Sequence, residues 1–418
     1  MTGVAQQLEG SFRDQWGRLL ALLVAQFRRL DLAEDGLAEA FEAAARRWPD
    51  DGVPTNPAAW LLTTARRRVL DRLRAEAVAA RKEPLLVVDE QTRQEASSMR
   101  ADPGGLVADE RLRLVFLCAH PSLAPESAAA LSLRLVIGVP TADIAKLFLV
   151  PESTMAARLT RAKRRLAASG APFSVPPEGA ARDARVGVVA SVAYLAFTAG
   201  YAPGTGADVT RTSLAGEGIR LTRVLRELLP GQPALDALLA LMLLQHSRRD
   251  ARLGADGMPV LLPDQDRSRW HRDEVTEALG LLGPLARQRL DGVGGEYLLQ
   301  ALIASEHAIA ATPEDTRWDR IAARYAELEE LTGSPVVRLN RAVAVAESSG
   351  PEAGLAMLDG LDDDLPHSHR LPAVRAELLS RAGDREGAHA AYGIAIERCD
   401  NEAERALLTA RRAALASP

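Results

Sequence analysis

Between Thr141 and Leu166 the chain reads TADIAKLFLVPESTMAARLTRAKRRL, the stretch with the clearest chemical signature in the sequence. Glu152, Ser153, Thr154, Ala157 and Arg158 open its second half. At the start of the second helix of a helix-turn-helix, such residues meet base edges in the major groove. Arg161, Lys163, Arg164 and Arg165 follow, spaced to hold backbone phosphates, and no acid intervenes between Glu152 and Leu166. The same pattern also fits an ordinary helical hairpin with a solvated cationic face.

A second cationic row holds Arg66, Arg67, Arg68, Arg72, Arg74, Arg81 and Lys82, with Trp60, Thr63, Thr64 and Asp71 beside it. Positive charge next to an aromatic ring suits an unstacked single strand, although a plain cationic surface helix has the same composition. Two other groups invite a catalytic reading. Cys118 and His120 lie close in sequence, but a thiol inside an apolar helix is most often core. Glu217, Arg220, Arg223 and Arg226, then Asp264, Asp266, Arg267, Arg269, Trp270 and His271, collect carboxylates, guanidiniums and an imidazole. Nothing there pairs a nucleophile with a base, and no glycine-rich phosphate loop precedes a helix. The expectation is a polar network fastening helices, with no catalytic residue, metal or cofactor.

Helices must position these side chains. Thr141 is the expected N-cap of a first helix carrying Ile144, Ala145, Leu147 and Phe148, which ends near Val150 and Pro151. The second helix, from Glu152, buries Met155, Leu159, Ala162 and Leu166 at helical spacing. Upstream, Phe12, Trp16, Leu19, Leu20, Leu23 and Phe27 form one stripe. A second helix spans Leu32 to Trp48 with Asp31 as its expected cap, and a third runs from Pro57 to about Arg81. Two more helices, separated by Pro121 and Pro125, lead into Thr141.

At 418 residues, 47% hydrophobic and 26% charged, the chain is long enough for about three domains; with 4% aromatics and abundant Ala, Leu, Arg and Glu, the expected fold class is all-α. The net charge of -5 masks basic clusters confined to the N-terminal half. Two cysteines, Cys118 and Cys399, argue against a disulfide framework and fit a reducing cytoplasm, and no secretory leader is read at the start. The run VGVVASVAYLAFTAGY is marginal in length for a membrane span and is expected to be a buried core helix.

The order of these pieces resembles an RNA polymerase sigma factor of the sigma-70 family. The N-terminal part is similar to region 2 and Asp109 to Gly170 to region 4. LDLAEDGLAEAFEAAARRWPDDGVPTNPAAWLLTTARRRVLDRLR, RLRLVFLCAHPSLAPE and VPESTMAARLTRAKRRL resemble the extracytoplasmic-function factors with a long C-terminal extension of tetratricopeptide-like repeats (ECF group 42). ALLALMLLQHSRRDAR, LLPDQDRSRW and SPVVRLNRAVAVAESSGP resemble motifs of that extension.

The resemblance implies that Asp31, Glu34, Asp35 and Phe41 dock the polymerase core through its β and β′ subunits. It places Trp60, Thr63, Arg66, Arg67, Asp71, Arg72 and Arg74 on the −10 element, and Glu152, Ser153, Thr154, Ala157, Arg158, Arg161 and Lys163 on the −35 element. Arg67 stands where many relatives have Asn, Ala75 where a second arginine is usual, and Thr198 and Ala199 where relatives carry Asn and Glu.

The expected divisions are region 2 over 1–83, a linker over 84–108, region 4 over 109–170, a helical extension over 171–300 and repeats over 301–418. Pro172, Pro176, Pro177 and Gly179 mark the second linker. In the repeats, Ala376, Gly383, Ala388, Tyr392 and Ala395 follow tetratricopeptide spacing, and Ala342 precedes Ala376 by one repeat of about 34 residues. The implied function is promoter-specific initiation by a cytoplasmic factor modulated by its extension, with intramolecular contact between extension and sigma domains as one route. The alternatives are a helix-turn-helix regulator that acts without polymerase and senses a ligand through the repeats, and a repeat-based scaffold.

Overall fold

The computed structural model describes residues 2–79, 105–201, 209–254 and 260–416. Among these residues there are 19 α-helices and no strand. The expected linker over 84–108 falls mostly outside the described residues, as do Arg81, Lys82 and the side chains of Phe12 and Tyr201. The chain divides into two units, Met1–Gly200 with Ser213–Gly231, and Tyr201–Thr212 with Gln232–Pro418.

The first unit begins with α1 (Thr2–Phe27), α2 (Leu30–Asp51) and α3 (Pro57–Ala79). Trp16, Leu19, Leu20 and Leu23 recur along one face of α1 and are buried, as are Leu37, Phe41, Ala44 and Trp48 of α2 and Leu61, Ala65 and Val69 of α3. Gly36 sets how closely α2 and α3 approach: a Cβ there would lie 2.8 Å from Val69 Cγ2 and 3.1 Å from the Ala65 carbonyl. Asp31 does not cap α2. The N-cap is Arg29, and Asp31 lies inside the first turn, where a carboxylate suits the positive end of the helix. The loop after α2 starts only at Gly52, whose φ of 81° closes the helix past Pro49. Asn56 then accepts a hydrogen bond from Ala59 N at 3.1 Å at the head of α3.

Two further helices, α4 (Gly105–Cys118) and α5 (Pro125–Val136), pack on α1. The approach is tight, because a Cβ on Gly17 would sit 1.8 Å from the Val136 carbonyl oxygen. Gly138, at φ 77°, turns the chain against the Trp16 ring, which a Cβ would meet at 2.8 Å. Then come α6 (Thr141–Leu147) and α7 (Glu152–Ala168), followed by α8 (Ala180–Tyr201) and α9 (Val209–Leu228). Pro140 rather than Thr141 is the N-cap of α6, with its carbonyl accepting from Asp143 N and Ile144 N, both at 3.0 Å. Val186, Val189, Ala190, Ala193, Ala196 and Phe197 of α8 are buried. No helix among the described residues is long and apolar enough to cross a membrane.

The second unit contains α10 (Pro233–His246), α11 (Arg272–Leu285), α12 (Gly292–Ile309), α13 (Trp318–Thr332), α14 (Pro335–Ser349), the short α15 (Pro351–Ala356) and α16 (Leu361–Asp364), then α17 (Arg370–Arg381), α18 (Arg385–Arg398) and α19 (Glu402–Ala416). Leu235 and every residue from Ala237 to Leu244 in α10 are buried, so this helix is apolar all round. Consecutive helices pair, with α13 against α14 and α17 against α18. Of the small residues expected at repeat spacing, Ala342, Ala376, Ala388 and Ala395 are buried, as is Tyr392, whereas Gly383 is exposed. Gly383 takes φ 88° in the turn from α17 to α18, where a side chain would be strained.

Of the charged residues that invited a catalytic reading, Arg220, Arg267 and His271 each bond to another part of the fold. Arg267 is buried and donates to the carbonyls of His307 and Ala310, both at 2.6 Å, at the end of α12 where free carbonyls need partners. Arg249 donates to Glu274 at 2.8 Å, and His246 meets the same carboxylate at 2.9 Å, tying α10 to α11. His271 reaches Asp250 at 2.7 Å. Cys118 is fully buried, and burial pushes its thiol up, away from the thiolate a nucleophile requires.

Candidate nucleic-acid interface

The turn between α6 and α7 is built by backbone hydrogen bonds. Phe148 N donates to Ile144 O at 3.1 Å, Leu149 N to Lys146 O at 3.2 Å and Val150 N to Ala145 O at 3.0 Å. Leu149 takes φ 55°, a left-handed conformation uncommon for a branched residue, and its side chain is exposed. This bend, followed by extended Pro151, redirects the chain so that α7 starts afresh at Glu152.

Met155, Leu159, Ala162 and Leu166 of α7 are buried, which fixes its rotation. The opposite face is left free at its N-terminal end: Glu152, Ser153, Thr154 and Ala157 are exposed, and so is Arg161 one turn later. Arg158 is half-buried, its guanidinium 5.9 Å from the centre of the ring of Phe148, the residue that caps the end of α6. The row is a short polar ridge backed by cations. Its carboxylate, hydroxyl and guanidinium groups are of the kinds that pair with base edges in a major groove.

Lys163 behaves differently from its neighbours. Its Nζ donates at 2.8 Å to Oε2 of Glu34, on α2, and Arg134 Nε donates at 2.7 Å to Oε1 of the same carboxylate. The Glu34 side chain is only 8% exposed, against 26% for Lys163 and 19% for Arg134. Burial alone would raise the Glu34 carboxyl, but the charges of Lys163 and Arg134 and their hydrogen bonds hold it below the usual carboxylate range. Trp16 completes the cluster. Its indole Nε1 donates to Arg134 O at 3.1 Å, and the Arg134 guanidinium lies 5.0 Å from the ring centre. A cavity of about 560 Å³ opens beside it, lined by Arg28, Arg29, Asp31 and Asp35 on one side and by Thr160, Lys163 and Arg164 on the other.

On α3, Thr63, Arg67, Asp71 and Arg74 are exposed and Arg66 half-buried. Trp60 lies half-buried at the start of the helix, edge-on to Trp48 with ring centres 5.6 Å apart. Thr63 Oγ1 donates to Ala59 O at 2.8 Å, and Arg74 meets Asp71 at 3.4 Å. Arg72 turns toward α2, donating to Asp35 at 2.7 Å and to Glu39 at 2.5 Å. A residue expected on DNA and one expected on polymerase are thus joined.

The remaining α2 residues split in two. Asp31 and Asp35 are exposed, and the Arg29 guanidinium, 2.9 Å away, holds the Asp31 carboxyl low. Phe41 is buried with its ring centre 5.9 Å from Trp16, and Glu34 is committed to Arg134 and Lys163. Sequence reasoning missed Arg134 and Trp16 as parts of this site. A signal existed, since Arg134 is the one cation in the apolar stretch Ala128 to Val139.

Three families match the chain: Sigma-70 region 2 over residues 14–78, Sigma-70, region 4 over residues 113–166, and a family of unknown function (DUF6596) over residues 185–285. An uncharacterized protein of Rhizobium meliloti (strain 1021) is 41% identical over 390 residues, covering 93% of this chain and 91% of that protein. No solved structure matches.

Proposed function

We propose that this chain, which carries regions 2 and 4 of the sigma-70 family, is an RNA polymerase sigma factor of the extracytoplasmic-function type, ECF group 42, cytoplasmic, with its activity set by the helical extension. The observation that carries the reading is the exposed N-terminal ridge of α7, with Glu152, Ser153, Thr154 and Ala157 free to face a −35 element while Arg158 is propped on Phe148. The face of α3 with Trp60, Thr63, Arg66, Arg67, Asp71 and Arg74 receives the −10 strand. Asp31 and Asp35 contribute to docking of the polymerase β and β′ subunits. A regulator that acts without polymerase is not favoured, because a duplex reader has no need of a region 2, and the match spans residues 14–78.

Glu34 and Lys163 point to how the factor is controlled. One lies on the helix expected to dock polymerase and the other on the helix expected to read DNA, and in this structure they neutralise each other. Neither can serve its external partner while the pair holds, so the conformation described is a closed one that opens on engaging polymerase. The extension supports it. Arg185 of α8 donates to Phe116 O at 2.7 Å and Arg220 of α9 to Ile137 O at 2.6 Å, each reaching a carbonyl in or just after α4 and α5. The tetratricopeptide-like repeats would then offer a surface for a regulatory protein.

Run-off transcription with purified core polymerase tests the reading, comparing the full chain with one ending at Gly170 across a genomic promoter library. The expected result is a promoter-specific transcript from the full chain and a changed yield on truncation. No specific transcript from either form overturns the sigma reading, and an unchanged yield removes the extension from its control.

A further inference from the structure

At the far end of the second unit, three side chains of metal-ligating type converge from three helix ends. His369 is the N-cap of α17, Cys399 closes α18 and Glu404 lies in the first turn of α19. Their ligand atoms, an imidazole nitrogen of His369, Cys399 Sγ and a Glu404 carboxylate oxygen, all fall within 4.8 Å of one another. The imidazole and carboxylate already touch at 2.9 Å.

We propose that this cluster binds one divalent cation of the zinc type, and that the ion pins the last helices of the extension together. The donor set selects the class of ion. A thiolate and an imidazole favour a borderline cation over calcium or magnesium, and a carboxylate as third ligand is common for zinc. A tetrahedral zinc with bonds of about 2.0–2.3 Å spaces its ligand atoms about 3.5 Å apart, so the cluster needs shifts of about an ångström.

The surroundings favour those shifts in one direction only. Cys399 is 1% exposed and its backbone is fixed, because Arg405 donates to its carbonyl through two nitrogens, at 2.9 and 2.6 Å. Asn401 Oδ1 accepts from Glu404 N at 3.0 Å and sets the start of α19. The thiol points its weak donor at Asn401 O, 3.4 Å away. His369 and Glu404 keep side-chain exposures of 26% and 31%. They can therefore close on an ion over the fixed sulfur, with solvent supplying a fourth ligand. Binding deprotonates Cys399 and releases that proton to solvent. Cys399 also packs among Ala376, Tyr392, Ala395 and Leu408, and it is the convergence of an imidazole and a carboxylate on that sulfur that points to an ion.

The test uses the full chain, reduced and stripped of metal. Titration with zinc against a chromophoric chelator is expected to show one ion per chain, and cobalt(II) is expected to give a thiolate-to-metal charge-transfer band. Cys399→Ser should abolish that band, whereas Cys118→Ala should retain it. Glu404→Gln and His369→Gln, both at half-exposed positions, should each weaken zinc binding at least tenfold with the helical circular dichroism unchanged. Zinc should also raise the melting temperature of the wild-type chain and not that of Glu404→Gln. Absence of a stoichiometric ion, or a cobalt band indifferent to Glu404 and His369, overturns the site. Neither outcome bears on transcription, so the proposal stands or falls apart from the sigma assignment.

Discussion

Lys163 and Glu34 are 129 residues apart in the chain and 2.8 Å apart in space. The pair joins the helix with the exposed ridge from Glu152 to Ala157 to the helix that carries the exposed acids Asp31 and Asp35, and Arg134 holds the second oxygen of the carboxylate. A buried charge with two cationic donors is costly to disturb from one side only, since removing a partner leaves the remaining charge poorly solvated. The packing of the first unit therefore depends on a few specific side chains as well as on apolar contacts.

Lys163→Met keeps much of the stem and removes the charge. We expect it to lower the urea stability of the full chain by about 1–2 kcal/mol with no DNA present. A lysine that serves only as a phosphate contact would leave stability unchanged and reduce promoter affinity alone. Equal urea midpoints for wild type and variant would show that the pair is not made in solution.

Acid should open the same cluster. Glu34 is held below its ordinary value of 4.5, so the folded state binds its proton less readily than the unfolded state does. Its contribution is full above about pH 4.5 and disappears as the pH falls through the lowered value. The stability difference between wild type and Glu34→Gln is expected to be greatest near neutrality and to shrink below pH 4. A difference that stays constant from pH 7 to pH 3 would contradict the assignment.

His307 supplies a separate pH dependence in the second unit. Burial first, and then the charges of Arg248 and Arg267, lower its imidazole from 6.5 to about 4, with the ring edge-on to Trp318 at 5.1 Å. The neutral form is favoured in the fold, so its contribution is complete above pH 6.5 and declines as the pH falls toward 4, by up to about 3 kcal/mol. His307→Phe keeps the aromatic contact and should flatten the stability profile between those limits. Retention of the full slope in that variant would assign it to another group.

Arg158→Ala removes the cation propped on Phe148 and leaves α2 untouched. Use of the −35 element should fall by about 1–3 kcal/mol, roughly a factor of 5 to 150, while affinity for core polymerase stays the same. A matching loss of core binding would mean that Arg158 supports the fold of the unit instead of reading DNA.

Much of the fold was legible because helical periodicity and proline placement are local signals. Pro57, Pro125 and Pro233 each open a helix, and Pro151 immediately precedes one. The buried set of α7, Met155, Leu159, Ala162 and Leu166, follows from spacing alone. Helix starts were less legible. Thr141 and Asp31 have the chemistry of N-caps, yet α6 begins on Pro140 and α2 on Arg29, where Asp31 is drawn into an ion pair instead. Capping preference is worth about a kilocalorie, and a neighbouring arginine or a proline-fixed backbone can outweigh it.

By itself the sequence determined the all-helical class, the helix-turn-helix, the exposed ridge from Glu152 to Ala157 and the cationic face of α3, since each depends on residues a few positions apart on one helix. Only the tertiary structure decided which charged groups serve outward and which are spent inside. Glu34, Lys163 and Arg72 look, in sequence, like their exposed neighbours. Partners more than 30 residues away consume them: Glu34 with Arg134 and Lys163, and Arg72 with Asp35 and Glu39. The convergence of His369, Cys399 and Glu404 was equally hidden, since three helix ends meet there only once the last helices have packed. Electrostatic pairing depends on distance in space, and composition along a single helix carries no record of it.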